Sequence, residues 1–367
     1  MNIRVNKSEF VKGLLVGGSF AGRTKFLPIL DCVKIKVKNG SMVIVSSDNE
    51  NAISKRIFGV ESDGEVSFCA GYKSLLSYVK LIKSEFIDLV VDDEVKNLEV
   101  KHDKGSVSLP LSDASEFPSM QPDENAVYIS MDSALLNNWI VDGQVFVGND
   151  ELRPVMGAIY FYCDKGELGV CSSDGHYMFT DFVSSELEDF NFMLNKGAFK
   201  AVCDVCKDSD IVKVSIGTKN IKFSSDDCSV LVRTIESKYP NFKSVFPKNN
   251  PINAKLLKKD LVDAINRCKL GASQTTCLVK LNISGMNLEV SAQDLDFNIK
   301  SVENMLVEAN GSIVIGFHAE KLLAVLGCIG TEYVNIELSE SSRAGLFKED
   351  DENSHKLLLL MPMLLND

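Results

Sequence analysis

The sequence is poor in the features that most often announce a function. It holds one tryptophan and four histidines in 367 residues. The longest apolar run, Leu357–Leu365, covers nine residues and contains Pro362, far short of the ~20 residues a membrane-spanning helix needs. The opening Met1-Asn2-Ile3-Arg4 begins no apolar signal segment, which argues against export. Ten cysteines are present but scattered, as expected of reduced thiols in a cytoplasmic protein. Cations are the minority, 39 Lys and Arg against 51 Asp and Glu, for a net charge of −12. As a total this disfavours nucleic acid as a partner, but a total does not say where the charges sit.

Catalytic constellations are equally thin. No G-x-G-x-x-G follows a strand pattern, and there is no G-x-x-x-x-G-K-[ST], H-E-x-x-H, G-x-S-x-G or kinase set. Gly17-Gly18-Ser19-Phe20-Ala21-Gly22 is glycine-rich but follows a helical pattern, so it reads as a flexible loop. Cys203 and Cys206 have C-x-x-C spacing but no second ligand pair and no thioredoxin-like context, and so read as small core residues. Asp174-Gly175-His176 could serve acid–base chemistry, yet Asp174 belongs to a repeated pattern that favours a role in the fold. The expectation is no catalytic site, no metal and no cofactor.

What the chain does hold is repetition. At 45% hydrophobic and 25% charged residues it is an ordinary globular sequence, and its length predicts two or three domains. Asp48, Asp174 and Asp294 each follow an apolar residue at fifteen, thirteen, eleven, six and four positions upstream, with another five positions downstream. The first copy reads Val33, Ile35, Val37, Met42, Ile44 and Ile53. The second reads Ile159, Phe161, Cys163, Leu168, Val170 and Phe179, and the third Val279, Leu281, Ile283, Leu288, Val290 and Ile299. Alternation with period two predicts strands with one buried face. Asn39-Gly40, Lys165-Gly166 and Ser284-Gly285 interrupt the pattern as hairpin turns.

Helical patterns precede each hairpin, over Lys7–Val16, Met131–Phe146 and Leu257–Leu270, and follow it over Lys73–Ile82, Gly197–Val205 and Ala319–Leu326. Linkers rich in Pro, Asn and charge lie near Gln121–Ala126 and Pro247–Asn253. The expected fold is therefore α+β: three repeated domains, 1–122, 127–247 and 253–367, each with two helices packed on antiparallel sheets. The six helical segments, taken as 7–25, 71–83, 131–146, 195–207, 255–269 and 318–326, carry 16 Lys and Arg against 7 Asp and Glu. That net of +9 leaves −21 on the remainder, so a basic helical face set against an acidic exterior is expected to concentrate phosphates on one side.

The C-terminal Leu357–Leu360 fits a buried strand, while Met361-Pro362-Met363 suits either a strand end or an adaptable apolar groove for a peptide. Residues spread over the whole chain then resemble one family. They are Arg23 with Leu27-Pro28-Ile29-Leu30, Arg153-Pro154-Val155-Met156-Gly157, Ser173-Asp174-Gly175-His176, Tyr239-Pro240-Asn241-Phe242 with Val245-Phe246-Pro247-Lys248, and Met361-Pro362-Met363. In order and spacing they resemble the beta subunit of bacterial DNA polymerase III, the processivity sliding clamp.

The resemblance implies clamp-type domains and a head-to-tail homodimeric ring around duplex DNA, with helices lining the hole. It implies a non-catalytic tether for the polymerase III alpha subunit, the clamp loader and other proteins carrying a clamp-binding motif, and no membrane. Carried over position by position, it implies DNA contacts from Arg23, Lys73, Arg153 and Lys196, and a dimer junction involving Val107, Leu109 and Leu270. It implies a peptide cleft of Met156, Ser173, Gly175, His176, Tyr177, Met178, Pro240, Val245, Leu359, Met361, Pro362 and Met363. Tyr177, Ser244 and Leu364 stand where the family often has basic residues, so the cleft rim is expected to be less basic. The rival readings are a repeat-type binding protein of unrelated function, such as a periplasmic or carbohydrate binder, disfavoured by the single tryptophan and the lack of a signal segment, and a metal-free hydrolase using His176, Asp174 and a serine, disfavoured by the absence of a nucleophile motif.

Overall fold

The computed structural model describes residues 1–92, 94–150, 152–207 and 209–365. Its six α-helices are α1 (Lys7–Gly17), α2 (Tyr72–Leu81), α3 (Ser133–Gly143), α4 (Phe199–Cys206), α5 (Lys258–Cys268) and α6 (Ala319–Gly327). Five lie where their periodicity predicts. The expectation of a helix over Met131–Phe146 is too long at both ends. Met131 and Asp132 finish the strand Val127–Asp132, and the Asp132 carboxylate accepts from Leu135 N at 2.8 Å, stopping the extended backbone as an N-terminal cap does. After Gly143 the chain turns, with Phe146 N donating to Gly143 O.

All strand pairs are antiparallel, and one topology recurs three times. Each repeat builds a four-stranded hairpin sheet from a three-strand meander and the strand that precedes its second helix. In the first repeat these are Asn51–Phe58, Ser41–Ser47, Cys32–Lys38 and Val66–Gly71, in sheet order. The second uses Tyr177–Ser184, Glu167–Ser173, Ala158–Asp164 and Phe190–Asn195, and the third Ile299–Leu306, Asn287–Asp294, Leu278–Ser284 and Ile313–His318. A second four-stranded sheet in each repeat joins its first strand to its last three. Its outermost member is Gly105–Ser112, Cys228–Arg233 or Leu357–Leu360.

The repeated apolar positions are the core of these sheets. Seventeen of the eighteen are buried, none more than 6% exposed; the exception is Ile299, at 46%, on a sheet edge. Asn39 and Lys165 take φ of 50° and 53° and the glycines after them 71° and 83°, the left-handed pair that a two-residue hairpin requires. The third turn falls one residue later than expected, on Gly285-Met286, because Ser284 still pairs with Asn287; only Gly285, at φ 60°, is left-handed.

By contacts the chain forms two compact units, residues 1–138 with 197–236, and residues 139–196 with 237–367. The partition reflects main-chain pairing between repeats. In the first unit Asn51–Phe58 pairs with Cys228–Arg233, so first-repeat and second-repeat sheets merge into one of 13 strands. In the second unit Tyr177–Ser184 pairs with Leu357–Leu360, giving a sheet of nine strands beside the third repeat's sheet of four. A core cluster of the first unit packs α1 and α2 through Phe10, Leu14, Leu75 and Val79 onto Val33, Ile35, Met42 and Ile44. Among the described residues no helix is long and apolar enough to cross a membrane.

A charged staple lies inside the second unit. Lys356 Nζ reaches Asp142 at 2.9 Å and Glu349 at 3.2 Å and donates to Cys328 O at 3.0 Å. Burial works against the ammonium, but Asp142 and Glu349 outweigh it and raise its pKa above the ordinary 10.5. Burial likewise opposes the Glu349 charge, but hydrogen bonds from Ser354 and Gly330 N, with Lys356, hold its carboxyl below the ordinary 4.5. Lys356→Met leaves two largely buried carboxylates without their cation and is expected to cost about 3 kcal/mol, read by urea unfolding on Trp139, the single tryptophan, which is buried in this unit. The depressed acid loses its contribution as pH falls through its folded pKa, and the raised base loses its own as pH rises through its folded pKa. The difference between wild type and variant should therefore stay level between the two ordinary values and shrink outside them.

Candidate functional site

The three repeated aspartates do the same local work. Asp48 Oδ1 accepts from Glu50 N and Asn51 N, Asp174 Oδ1 from His176 N and Tyr177 N, and Asp294 Oδ1 from Asp296 N and Phe297 N. Each closes the turn between the second and third meander strands, as short acidic side chains do when they bond backbone two or three residues on. At Asp174 the turn is also built into a recess. Gly175 holds φ 94°, Ser173 Oγ accepts from Gly175 N at 3.0 Å and donates to Tyr177 O at 2.8 Å, and His176 projects outward with its side chain 70% exposed.

This turn forms one wall of a cavity of about 150 Å³ in the second unit. Ten of the twelve expected cleft residues line it: Met156, Ser173, Gly175, His176, Tyr177, Met178, Pro240, Val245, Leu359 and Met361. Met178 and Leu359 are buried, cross-strand neighbours that make an apolar floor. Val245 and Met361 are exposed apolar side chains at its margin. Met361 N donates to His176 O at 2.7 Å, which ties the chain end to the turn. Tyr177 is held on three sides. Its hydroxyl donates to Val145 O, its ring lies 4.9 Å from that of Phe146, and Lys321 Nζ sits 4.6 Å from its centroid. Burial, then the Asp174 charge, raises its pKa, so it presents a neutral ring.

Pro362 and Met363 do not line this cavity. Met363 N donates instead to Gly316 O at 2.8 Å, bridging to the strand Ile313–His318. A Cβ on Gly316 would stand 2.7 Å from Leu365 and 3.2 Å from Met363 O, so the absence of a side chain there makes the seat for the tail. Sequence reasoning missed Tyr239 and Phe242, which also line the cavity. Tyr239 stacks on Tyr160 at 4.7 Å and 6°; Tyr239 and Phe242 are the aromatic flanks of the Tyr239-Pro240-Asn241-Phe242 run, which were the available signal. It also missed Lys321, whose Nζ pairs with Asp174 Oδ2 at 2.7 Å across 147 positions of sequence.

The expected DNA contacts fall in both units, two in each. Arg23 lies 4.5 Å over the Phe20 ring and donates to Gly197 O at 2.7 Å. Lys73 is exposed. Arg153 Nε donates to Asp150 at 2.6 Å, and the guanidinium, with Leu152 N, holds the Asp150 carboxyl below its usual range. Lys196 donates to Asn149 Oδ1. The helical positive charge is less free than its sum suggests. Lys200 and Lys207 share Asp204, Lys259 pairs with Asp263, Arg267 with Glu303 and Lys269 with Glu320. Of the eight helical-segment cations with no ion pair to a described residue, six lie in the first repeat, Lys7, Arg23, Lys25, Lys73, Lys80 and Lys83, while Lys196 and Lys258 donate to Asn149 Oδ1 and Ile329 O. The C-x-x-C thiols are raised to about 11 at Cys203 and about 12 at Cys206, mainly by burial, which keeps them protonated and unreactive. Val107 and Leu109 lean on their own core, and Leu270 is 79% exposed.

Two family models match the chain: the N-terminal domain of the DNA polymerase III beta subunit over residues 1–121, and its C-terminal domain over residues 243–364. The beta sliding clamp of Pseudomonas putida is 22% identical over the full length of both chains, and that of Rickettsia bellii is 24% identical over 99% of each. Among solved structures, a Pseudomonas aeruginosa sliding clamp bound to griselimycin superposes with a TM-score of 0.94 at 20% identity, and the DNA polymerase III beta subunit of Thermotoga maritima with 0.92 at 21%, each covering both chains entirely. The fold is that of the sliding clamps. The chain belongs to the DNA polymerase III beta subunit family, and its function is that of a DNA polymerase III sliding clamp.

The turn at Asp174 can be tested without any ligand. Asp174→Asn keeps an acceptor for His176 N and Tyr177 N and loses only the ion pair with Lys321; less than about 1 kcal/mol is expected. Asp174→Ala removes both and is expected to cost about 2–3 kcal/mol, again by urea unfolding on Trp139. Equal losses for the two variants would show that the turn bonds contribute nothing.

Proposed function

We propose that two copies of this chain close head to tail into a ring around duplex DNA, each copy contributing three domains, 1–122, 127–247 and 253–367. One observation carries the reading. Within the chain, the free edge of one repeat's meander pairs twice with the closing strand of the next, Asn51–Phe58 with Cys228–Arg233 and Tyr177–Ser184 with Leu357–Leu360. The same rule leaves one strand of each kind over. Ile299–Leu306 ends its sheet, and Gly105–Ser112 is met on its outer side only at Leu111 and Ser112. An edge of exposed main-chain donors and acceptors is a liability unless it is paired, and a second copy supplies the missing strand to each. Ile299, Val302 and Leu306, all exposed in the single chain, then gain cover, with Leu270 close by in space, because the adjoining Gly271 packs against Ser301 of that strand. Two seams related by a two-fold axis close the assembly. Val107 and Leu109 contribute mainly the backbone of their strand.

The ring holds DNA without reading it. Arg23, Lys73, Arg153 and Lys196 act on phosphates, which carry no sequence information. Encirclement rather than affinity keeps the protein on DNA, and the chain does no chemistry of its own. The cavity at Tyr177 takes short peptides with apolar anchors from the polymerase alpha subunit, the clamp loader and other clamp-binding proteins in the cytoplasm. Methionines at 156, 178 and 361 let one pocket accept several side chains. At about 1.5–3 kcal/mol for each buried anchor, a few anchors give micromolar binding, weak enough for partners to exchange.

Sedimentation should give twice the chain mass at micromolar concentration, and the chain mass alone would contradict the ring. Loaded on closed circular duplex, the protein should be retained at salt that releases it from short linear duplex, because counterion-linked binding falls steeply with salt and a topological link does not. Identical salt profiles on the two DNAs would exclude encirclement. For the cleft, Met361→Ala should weaken an apolar-anchored peptide more than Met363→Ala, since Met361 lines the cavity and Met363 does not. Truncation after Leu360 should abolish peptide binding and leave the dimer intact.

A further inference from the structure

Residues 22–30 form a closed hoop. Gly22 N donates to Leu30 O at 2.9 Å, Leu30 N donates to Leu27 O at 3.0 Å, and Leu30 is fully buried beneath. Gly22, at φ 72°, permits the turn that closes it. At the tip, midway between the closing residues, stands Phe26. It is 94% exposed, the most exposed large apolar side chain among the described residues. An aromatic ring left in water forgoes the stabilisation that burial gives, and this one has both faces open. Arg23 and Lys25 flank it, and Lys73 Cε comes within 3.8 Å of where a Cβ on Gly22 would stand. None of the three cations has an ion pair with a described residue. Beside the ring is a recess of about 400 Å³ whose walls include Leu27, Asp48, whose carboxylate is already engaged in its turn, and the Glu50 carboxylate as an acceptor.

We propose that this hoop is a binding site for single-stranded DNA, with Phe26 stacking on an unpaired base. The ligand is identified by the combination. A free aromatic face takes a base of any identity, thymine included, neighbouring cations take the phosphates on either side of it, and the Glu50 acceptor in the recess suits the exocyclic amine of adenine, guanine or cytosine. Duplex DNA offers only base edges to a side chain, so a ring presented face-free selects a strand that has left the duplex, as at the end of a primer. An apolar peptide would have no use for the three cations. The inference rests on the clamp reading only for bringing DNA to the chain, and the site is separate from the cavity at Tyr177.

The test uses the full chain and short oligo-thymidylate at low salt. Phe26→Trp adds an exposed indole as a second tryptophan in addition to the buried Trp139, and its emission should be quenched on binding. Phe26→Ala should weaken oligo-thymidylate roughly ten-fold with an unchanged salt slope, and leave blunt duplex binding unaltered. Lys25→Ala should instead reduce the slope of log K against log salt by about 0.7, one phosphate contact on a single strand. Unquenched emission, wild-type binding by Phe26→Ala, or an equal loss on blunt duplex would each overturn the proposal. So would a loss confined to apolar peptides, which would make the hoop a protein-docking element. Retention on closed circular duplex is measured in parallel. Its absence in the unaltered protein overturns the clamp reading, while Phe26-dependent quenching and affinity support the stacking site either way.

Discussion

Main-chain hydrogen bonding between strand edges is the interaction on which the other features depend. A meander of three strands has one edge covered by the strand before its second helix and one edge left over. In the first two repeats the leftover edge is taken by the closing strand of the next repeat, at Val230↔Ile53 and at Phe179↔Leu358. The bonds involved are backbone bonds, indifferent to side-chain identity. That is why one architecture survives at 20–24% identity to its relatives. It also explains why contacts divide the chain into two units although its pattern repeats three times: the joined edges bind neighbouring repeats as firmly as strands within a repeat.

The same pairing creates the candidate cleft. Leu357–Leu360 lies beside Tyr177–Ser184, which sets Leu359 across from Met178 and brings Met361 to His176 O. The chain then crosses to Gly316, where the lack of a Cβ gives the tail its seat. Strand completion and pocket formation are thus one event. The choice between a buried strand and an adaptable groove at the C-terminus dissolves, because residues 357–360 are the first, Met361 the second, and Met363 an anchor for both.

Electrostatics act on this frame in two ways. Inside the second unit, Lys356 with Asp142, and Lys321 with Asp174, join elements far apart in sequence, and being partly shielded from water they hold geometry more than surface pairs do. On the helices, about half of the cations are occupied by nearby acids. Most of the helical-segment charge still available to an external anion lies in the first repeat, with Arg23 and Lys25 on the hoop that carries Phe26 and Lys73 next to it.

The sequence by itself determined the repeat, the strand alternation, the hairpin turns and the aspartate turns. All of these are local, set by side-chain period and by φ preference within a few residues. Seventeen buried positions of eighteen follow from that pattern. Family likeness in short motifs located ten of the residues that line the cleft. Tertiary structure decided the rest. Ile299 carries the same pattern as Ile53 and Phe179 and is exposed, because its strand, unlike theirs, has no partner on its outer edge within the described chain. Met363 differs from Met361 by two positions and faces a different sheet. Lys321 reads as an ordinary exposed helix cation until the fold sets it over Tyr177 and against Asp174. Periodicity tells a residue which face it is on; only the packed chain tells it what lies opposite, because that depends on elements a hundred or more residues away.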